Sequence, residues 1–440
     1  MPVTYWCERA WLPDGVADGV LVEVDGPRIV SVTRGEPGGA RRLPGLTIPG
    51  LANAHSHAFH RALRAATQTG SGDFWTWRDR MYEVAARLDP DAYLRLARAV
   101  YAEMALAGVT CVGEFHYLHH APGGKPYEDR NVMGHALIRA AREAGLRVAL
   151  IDACYVSGGP GAELAGAQLR FGDGDADGWA ARAEGLAAAY EGQPDVEIGA
   201  AIHSVRAVPP EQMPVVVEFS RRHAAPLHAH VSEQRAENAA CVAAYGASPV
   251  ELLHRHGALG PRSTAVHATH LSETDIGLLG GSRASLCMCP TTERELADGI
   301  GPARAVFDRG SPLTLGSDSH AVIDLFEEAR AVELNARLAT ERRGHWSAAE
   351  LLTAATSAGH ASLGFPDAGL LVPGAWADLV TVRTDTVRTA GTAGLEAVAF
   401  AATAADVRAV VSGGRQIVEE GRHVLGDVGA LLAEAMEELR

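Results

Sequence analysis

The chain has 440 residues, 47% of them hydrophobic and 21% charged. That is an ordinary globular composition, but too long for one simple core unless that core is an α/β barrel with additions. A formal net charge of −15 argues against non-specific nucleic-acid binding, which needs basic surface, and leaves an anionic substrate open, because a pocket can be locally positive.

In chain order, the first 48 residues read as short strands with turns. Residues 20–24 and 28–32 flank a turn at Asp25-Gly26, a hairpin signal, and a loop rich in glycine and arginine follows. From residue 49 to 369, apolar strand-like runs alternate with helical patterns. The runs end near His57, Tyr117, Tyr155, Arg206, Glu233, Thr269, Cys289 and Asp318. Eight strands alternating with helices predict a (β/α)8 TIM barrel of the α/β class. One helix is well marked: Asp89 caps it, Pro90 fits its first turn, Tyr93, Ala97, Val100, Tyr101 and Met104 form one face, and Gly108 ends it. The long gap between the first two strand ends holds Phe74-Trp75-Thr76-Trp77-Arg78, read as an aromatic loop over the barrel mouth.

The tail returns to strands at 377–382 and 407–412, then turns at Gly413-Gly414 into 415–418. Neither end has enough strands to stand alone. Residues 1–48 and 370–425 are therefore expected to meet in one small β-sandwich, followed by a helix from Val428 to Leu439 within a 426–440 segment.

The six cysteines, at 7, 111, 154, 241, 287 and 289, show no disulfide or zinc-knuckle spacing and predict free thiols in a reducing cytoplasm. No basic-then-apolar leader opens the chain. No apolar run approaches the roughly 18 residues of a membrane span. Neither a membrane nor a nucleic acid is expected as a partner. The only lysine, Lys125, precedes Pro126, which excludes a P-loop, and no Gly-x-Ser-x-Gly elbow supports a serine hydrolase.

The chemistry lies at the strand ends, where such a barrel gathers reactive groups. His55 and His57 stand two apart after an apolar run. Glu114-Phe115-His116-Tyr117, His228-Ala229-His230-Val231-Ser232-Glu233, Val266-His267-Ala268-Thr269-His270 and Gly316-Ser317-Asp318-Ser319-His320 follow. Zinc favours imidazole and carboxylate donors, and a catalytic site keeps one position open. His55, His57, one histidine of the 228/230 pair, and Asp318 supply such a set. Iron suits the same donors. Glu233 is placed to shuttle protons, and His267 to hold the nucleophile from the next strand end. Each fragment alone reads more simply as a turn or a structural histidine. Their joint order along successive strands is what points to a hydrolytic metal centre.

That order resembles the amidohydrolase superfamily in its mononuclear deaminase branch, over nearly the whole chain. Residues 372–379 (Val-Pro-Gly-Ala-Trp-Ala-Asp-Leu) resemble the return into that superfamily's small β-domain. With Phe74-Trp75-Thr76-Trp77-Arg78 and His203-Ser204-Val205-Arg206 added, the set is most similar to the formimidoylglutamate deiminases of histidine breakdown. The resemblance implies one zinc on His55, His57, His230 and Asp318, with catalysis by Glu233, His267 and Asp318. It implies that Arg78, Tyr117, His203 and Arg206 grip a small dicarboxylate, and Ser319 is placed with them. His60 stands where these enzymes often carry glutamine. It can still donate a hydrogen bond to a carboxylate and is kept in the substrate group. The implied reaction is hydrolysis of N-formimino-L-glutamate to N-formyl-L-glutamate and ammonia. A ring deaminase of the same branch and a non-catalytic barrel scaffold are the alternatives. A homodimer is expected, as the commonest closed assembly.

Overall fold

The computed structural model describes residues 2–67 and 74–439; the side chains of Phe74 and Trp75 lie outside that description. Strands β1 (Val3–Leu12), β2 (Gly15–Asp25), β3 (Arg28–Arg34) and β4 (Arg41–Pro49) come first. The barrel follows: β5 (Leu51–Ser56), β6 (Val109–His116), β7 (Arg147–Cys154), β8 (Val196–Ile202), β9 (Leu227–Val231), β10 (Ser263–His267), β11 (Ser285–Met288) and β12 (Leu313–Leu315). The chain ends with β13 (Leu379–Val382), β14 (Val407–Ser412), β15 (Arg415–Glu419), β16 (Arg422–His423) and a helix over Val428–Glu437.

β5 to β12 pair in sequence order and in parallel. All residues of β5, β6, β7 and β9 to β12 are buried, as parallel strands covered on both faces must be. The ring closes just past β12: Asp318 N–H donates to His55 O at 3.0 Å, and His57 N–H donates to Asp318 O at 3.2 Å. The fold is the expected (β/α)8 barrel with a small β-sandwich domain from both chain ends. The strands stop earlier than the apolar runs suggest. Beyond β9 and β12, Ser232 (φ +50°) and Asp318 (φ +40°) leave the extended region. Beyond β8, Ala207 and Val208 donate back to Ser204 O in a tight turn.

The terminal domain orders its strands β16-β15-β14-β13-β4-β1-β2-β3 around its own core, which includes Tyr5, Val20, Val22, Leu43 and Leu379. A single apolar run therefore serves two sheets, β4 up to Pro49 and β5 from Leu51. The break falls at Gly50, where a Cβ would meet Thr110 Oγ1 at 2.3 Å and Asp378 Cβ at 2.6 Å. Only glycine allows that approach.

Residues 74–78 are not a loop. They open helix α1 (Phe74–Arg87). Trp77, Met81 and Ala85 recur at helical spacing, with Met81 and Ala85 buried. The five residues from Phe74 to Arg78 are too short a stretch to show that periodicity. Helix α2 (Pro90–Leu106) forms as expected: Asp89 Oδ1 accepts from Ala92 N–H at 2.8 Å, and Tyr93, Ala97, Val100, Tyr101 and Met104 are buried. No helix among the described residues is long and apolar enough to cross a membrane.

The two domains are joined by a buried ion pair. Arg147, at the start of β7, donates to Asp378 Oδ1 at 3.0 Å and Oδ2 at 2.5 Å. The side chains are 3% and 1% exposed, and Gly413 N–H also donates to Asp378. Burial opposes ionisation of Asp378, but Arg147 outweighs it and holds the carboxyl below its ordinary range. Asp378→Asn would leave a buried guanidinium unpaired, so it should cost about 3–5 kcal/mol in urea unfolding. A depressed carboxyl stabilises above its unfolded pKa, near 3.9, and loses that contribution as pH falls through the folded value. The deficit of the variant should therefore be level at neutral pH and shrink below about pH 4.

Candidate active site

Four donor side chains converge where the barrel closes. One ligand atom from each of His55, His57, His230 and Asp318 lies within 4.8 Å of all the others, and all four residues are buried. Asp318 Oδ1 is 3.2 Å from His55 Nε2 and 3.4 Å from His57 Nε2. His55 Nε2 and His230 Nε2 are 3.1 Å apart.

The second nitrogens fix what these rings can do. His57 Nδ1 donates to Phe115 O at 2.9 Å, and His230 Nδ1 to His203 O at 2.9 Å. Each neutral ring has one N–H, so both Nε2 lone pairs face the centre. Burial, foremost, pushes all three histidines below their ordinary pKa; for His55 the neighbouring Asp318 opposes this. They are neutral, proton-poor acceptors beside a carboxylate. Such a set of imidazole and carboxylate donors fits a divalent cation, and His57 and His230 already have the backbone partners that orient metal-binding rings.

His228, the other histidine of its pair, is turned to the Ser362 carbonyl at 3.2 Å. His267 lies beside the cluster. Its Nε2 is 3.8 Å from Glu233 Oε1 and 3.8 Å from Asp318 Oδ2, and its Nδ1 is 3.5 Å from Glu293 Oε1. Burial disfavours a charged ring, but Glu233, Glu293 and Asp318 outweigh it and hold His267 well above its ordinary pKa. Glu233 is shifted up, chiefly by burial. Ser232, His267, Ala268, Asp318 and His320 all have φ between +40° and +66°. Strain of this kind, of order 1–3 kcal/mol per residue, collects where side chains must be aimed.

Above the cluster a cavity holds about 570 Å³ of space not filled by atoms, part of it open to solvent. His57, His230, Asp318, Glu233 and His267 line it, and so do His60, Arg78, Tyr117, His203 and Arg206. Arg78 comes from α1, its guanidinium 5.4 Å from the centre of the Tyr82 ring. Arg170, buried at the end of the 3₁₀ helix Gly166–Arg170, fixes the end of α1 by donating to Ala85 O and Leu88 O. His60 Nε2 and the Tyr117 hydroxyl are 2.9 Å apart. His203, the first residue after β8, packs on Tyr155 at 4.5 Å between ring centres. Ser319 is the exception: its hydroxyl meets Thr292 Oγ1 at 2.9 Å, and it is not among the lining residues. His55 lies beneath the floor, fully buried.

Sequence reading gave no role to several groups. Tyr82, Tyr155 and Phe171 form a cavity wall. Glu293 touches His267, and its place just after a barrel strand was the available signal. Glu114 accepts from Ala58 N–H and Ser56 Oγ, both at 2.7 Å. Burial raises its carboxyl to about 8, and it braces the turn carrying His57.

The fold, the ligand order and the floor of this cavity agree with one family. The Amidohydrolase family signature matches residues 46–417, and the chain belongs to that family. It is 34% identical over 434 residues to a formimidoylglutamate deiminase of Pseudomonas aeruginosa, covering 95% of each chain. It is also 30% identical over 398 residues to a 5-methylthioadenosine/S-adenosylhomocysteine deaminase of Natronomonas pharaonis, covering 89% of this chain and 85% of the relative. Among solved structures, an amidohydrolase from Brucella melitensis superposes with a TM-score of 0.93 at 33% identity, over 99% of each chain.

Proposed function

We propose that the protein is a cytoplasmic zinc-dependent deiminase that hydrolyses N-formimino-L-glutamate to N-formyl-L-glutamate and ammonia. One observation carries this: two arginines, Arg78 and Arg206, line the same cavity as the His-His-His-Asp cluster. A dicarboxylate suits two guanidinium forks; a flat apolar ring does not require them. The likeness to the Pseudomonas enzyme supports the same reading.

His55, His57, His230 and Asp318 would hold the ion. Bound there, it supplies a Lewis acid that makes water nucleophilic near neutral pH. Arg78, Arg206, His203, Tyr117 and His60 bind and orient the substrate, so that its formimino carbon faces the acids. Glu233 takes a proton from the attacking water and gives it to the formimino nitrogen, then carries the hydroxyl proton of the resulting adduct to the same nitrogen; the C–N bond breaks as the formyl C=O forms, and ammonia leaves. His267, holding a proton at Nε2, steadies the oxygen between Glu233 and Asp318.

The purified protein should release ammonia from N-formimino-L-glutamate without nucleotide, lose that activity on chelation, and regain it with added zinc. No ammonia from a zinc-loaded sample ends the proposal. Arg206→Met should raise KM about 10- to 100-fold, the worth of a charge-assisted hydrogen bond, and change kcat little. The Natronomonas relative keeps a second reading alive, deamination of a purine nucleoside. A panel that includes such nucleosides, scored by ammonia release, separates the two.

A further inference from the structure

The cavity lined by both arginines also has a wall whose hydrogen bonds are set by one amide. Gln168 Oε1 accepts from Ala165 N–H at 3.2 Å, so the orientation of its amide is fixed. Its Nε2 then points away and donates to Tyr82 Oη at 3.3 Å and Tyr155 Oη at 3.2 Å. Each phenol oxygen is thereby used as an acceptor, and each keeps its own O–H. The two phenols lie within reach of one another, so one can donate to the other, but at least one O–H remains to be given elsewhere.

The rings themselves are held in place. Phe171 packs on Tyr82 at 6.0 Å and on Tyr155 at 5.3 Å between centres. Tyr82 also carries the guanidinium of Arg78 on its face, while Arg206 acts electrostatically on Tyr155. Burial, then Tyr82, raises the Tyr155 phenol above its ordinary pKa, so it stays protonated. Both phenols and both arginines line the one cavity. This stretch of wall offers donors and positive charge, the chemistry of a carboxylate subsite.

We propose that Tyr82 and Tyr155 bind a substrate carboxylate alongside Arg78 and Arg206, and that Gln168 is the positioning residue that turns their hydroxyls toward it. The inference rests on the dicarboxylate reading above and adds to it a part of the site that sets anion preference. Gln168→Glu has nearly the same shape and can still accept from Ala165. Its second oxygen, however, accepts where Nε2 donated. It draws the phenol O–H groups away from the cavity and adds a negative charge behind them.

The test is titration calorimetry of N-formyl-L-glutamate, the product, into wild type, Gln168→Glu and Tyr155→Phe, each zinc-loaded and with its Tm recorded, together with steady-state kinetics. Gln168→Glu should weaken binding about 10- to 100-fold and Tyr155→Phe about 10-fold. Both should raise KM, with kcat held within about threefold. Gln168→Leu, which removes the amide without adding charge, should fall between wild type and Gln168→Glu. If wild type binds the product and both variants bind it equally well, the subsite is wrong and the deiminase reading stands. If wild type binds no dicarboxylate, both fall. If Gln168→Glu does not fold, Tyr155→Phe decides alone, since it removes a single oxygen.

Discussion

Glu233→Gln should lower ammonia release by about 10²- to 10⁴-fold, the usual worth of a positioned general acid-base, while the metal content of the protein stays unchanged. Glu233 is 7% exposed and reaches His267 at 3.8 Å, but it is not one of the four residues whose donor atoms converge. Glutamine keeps the shape and the neighbours, yet its amide cannot accept the proton of an attacking water. The loss should appear in kcat and kcat/KM together, because the interaction removed belongs to the transition state. Elemental analysis and an ammonia assay on the same sample check both halves. Undiminished turnover would remove Glu233 from proton transfer; loss of metal would make it a ligand instead.

How much of this was legible in the sequence depended on whether local pattern or distant contact decided each feature. The eight barrel strands were readable because a parallel strand buried on both faces is mainly apolar, and β6, β7 and β9 are buried throughout with most of their residues apolar. His55 and His57 were readable because their spacing is local. α1 was hidden because Phe74 to Arg78 span little more than one turn, too short to show a helical period, and aromatics cover a cavity from a loop or a helix alike. The Tyr82–Gln168–Tyr155 wall was invisible: its members lie 13 to 86 residues apart, and none stands in a motif. Gly50 was equally hidden, since nothing before folding places Thr110 and Asp378 against it.

The two histidines of β9 were the open choice, and they should respond oppositely to the same substitution. Spacing alone does not choose between them, because side chains two apart on a strand share a face. The structure separates them: His230 belongs to the group whose donor atoms converge, while His228 is turned to the Ser362 carbonyl. His230→Ala removes an Nε2 that sits 3.1 Å from that of His55, so bound metal should fall well below one per chain and ammonia release to background. His228→Ala removes a ring bonded to the Ser362 carbonyl. It should cost about 1–3 kcal/mol of stability, the price of a buried group left unsatisfied, while metal content holds at one per folded chain. Elemental analysis and urea unfolding of the two variants side by side read both effects. Equal metal loss from both would mean that β9 presents its histidines to the ion together, against the geometry found here.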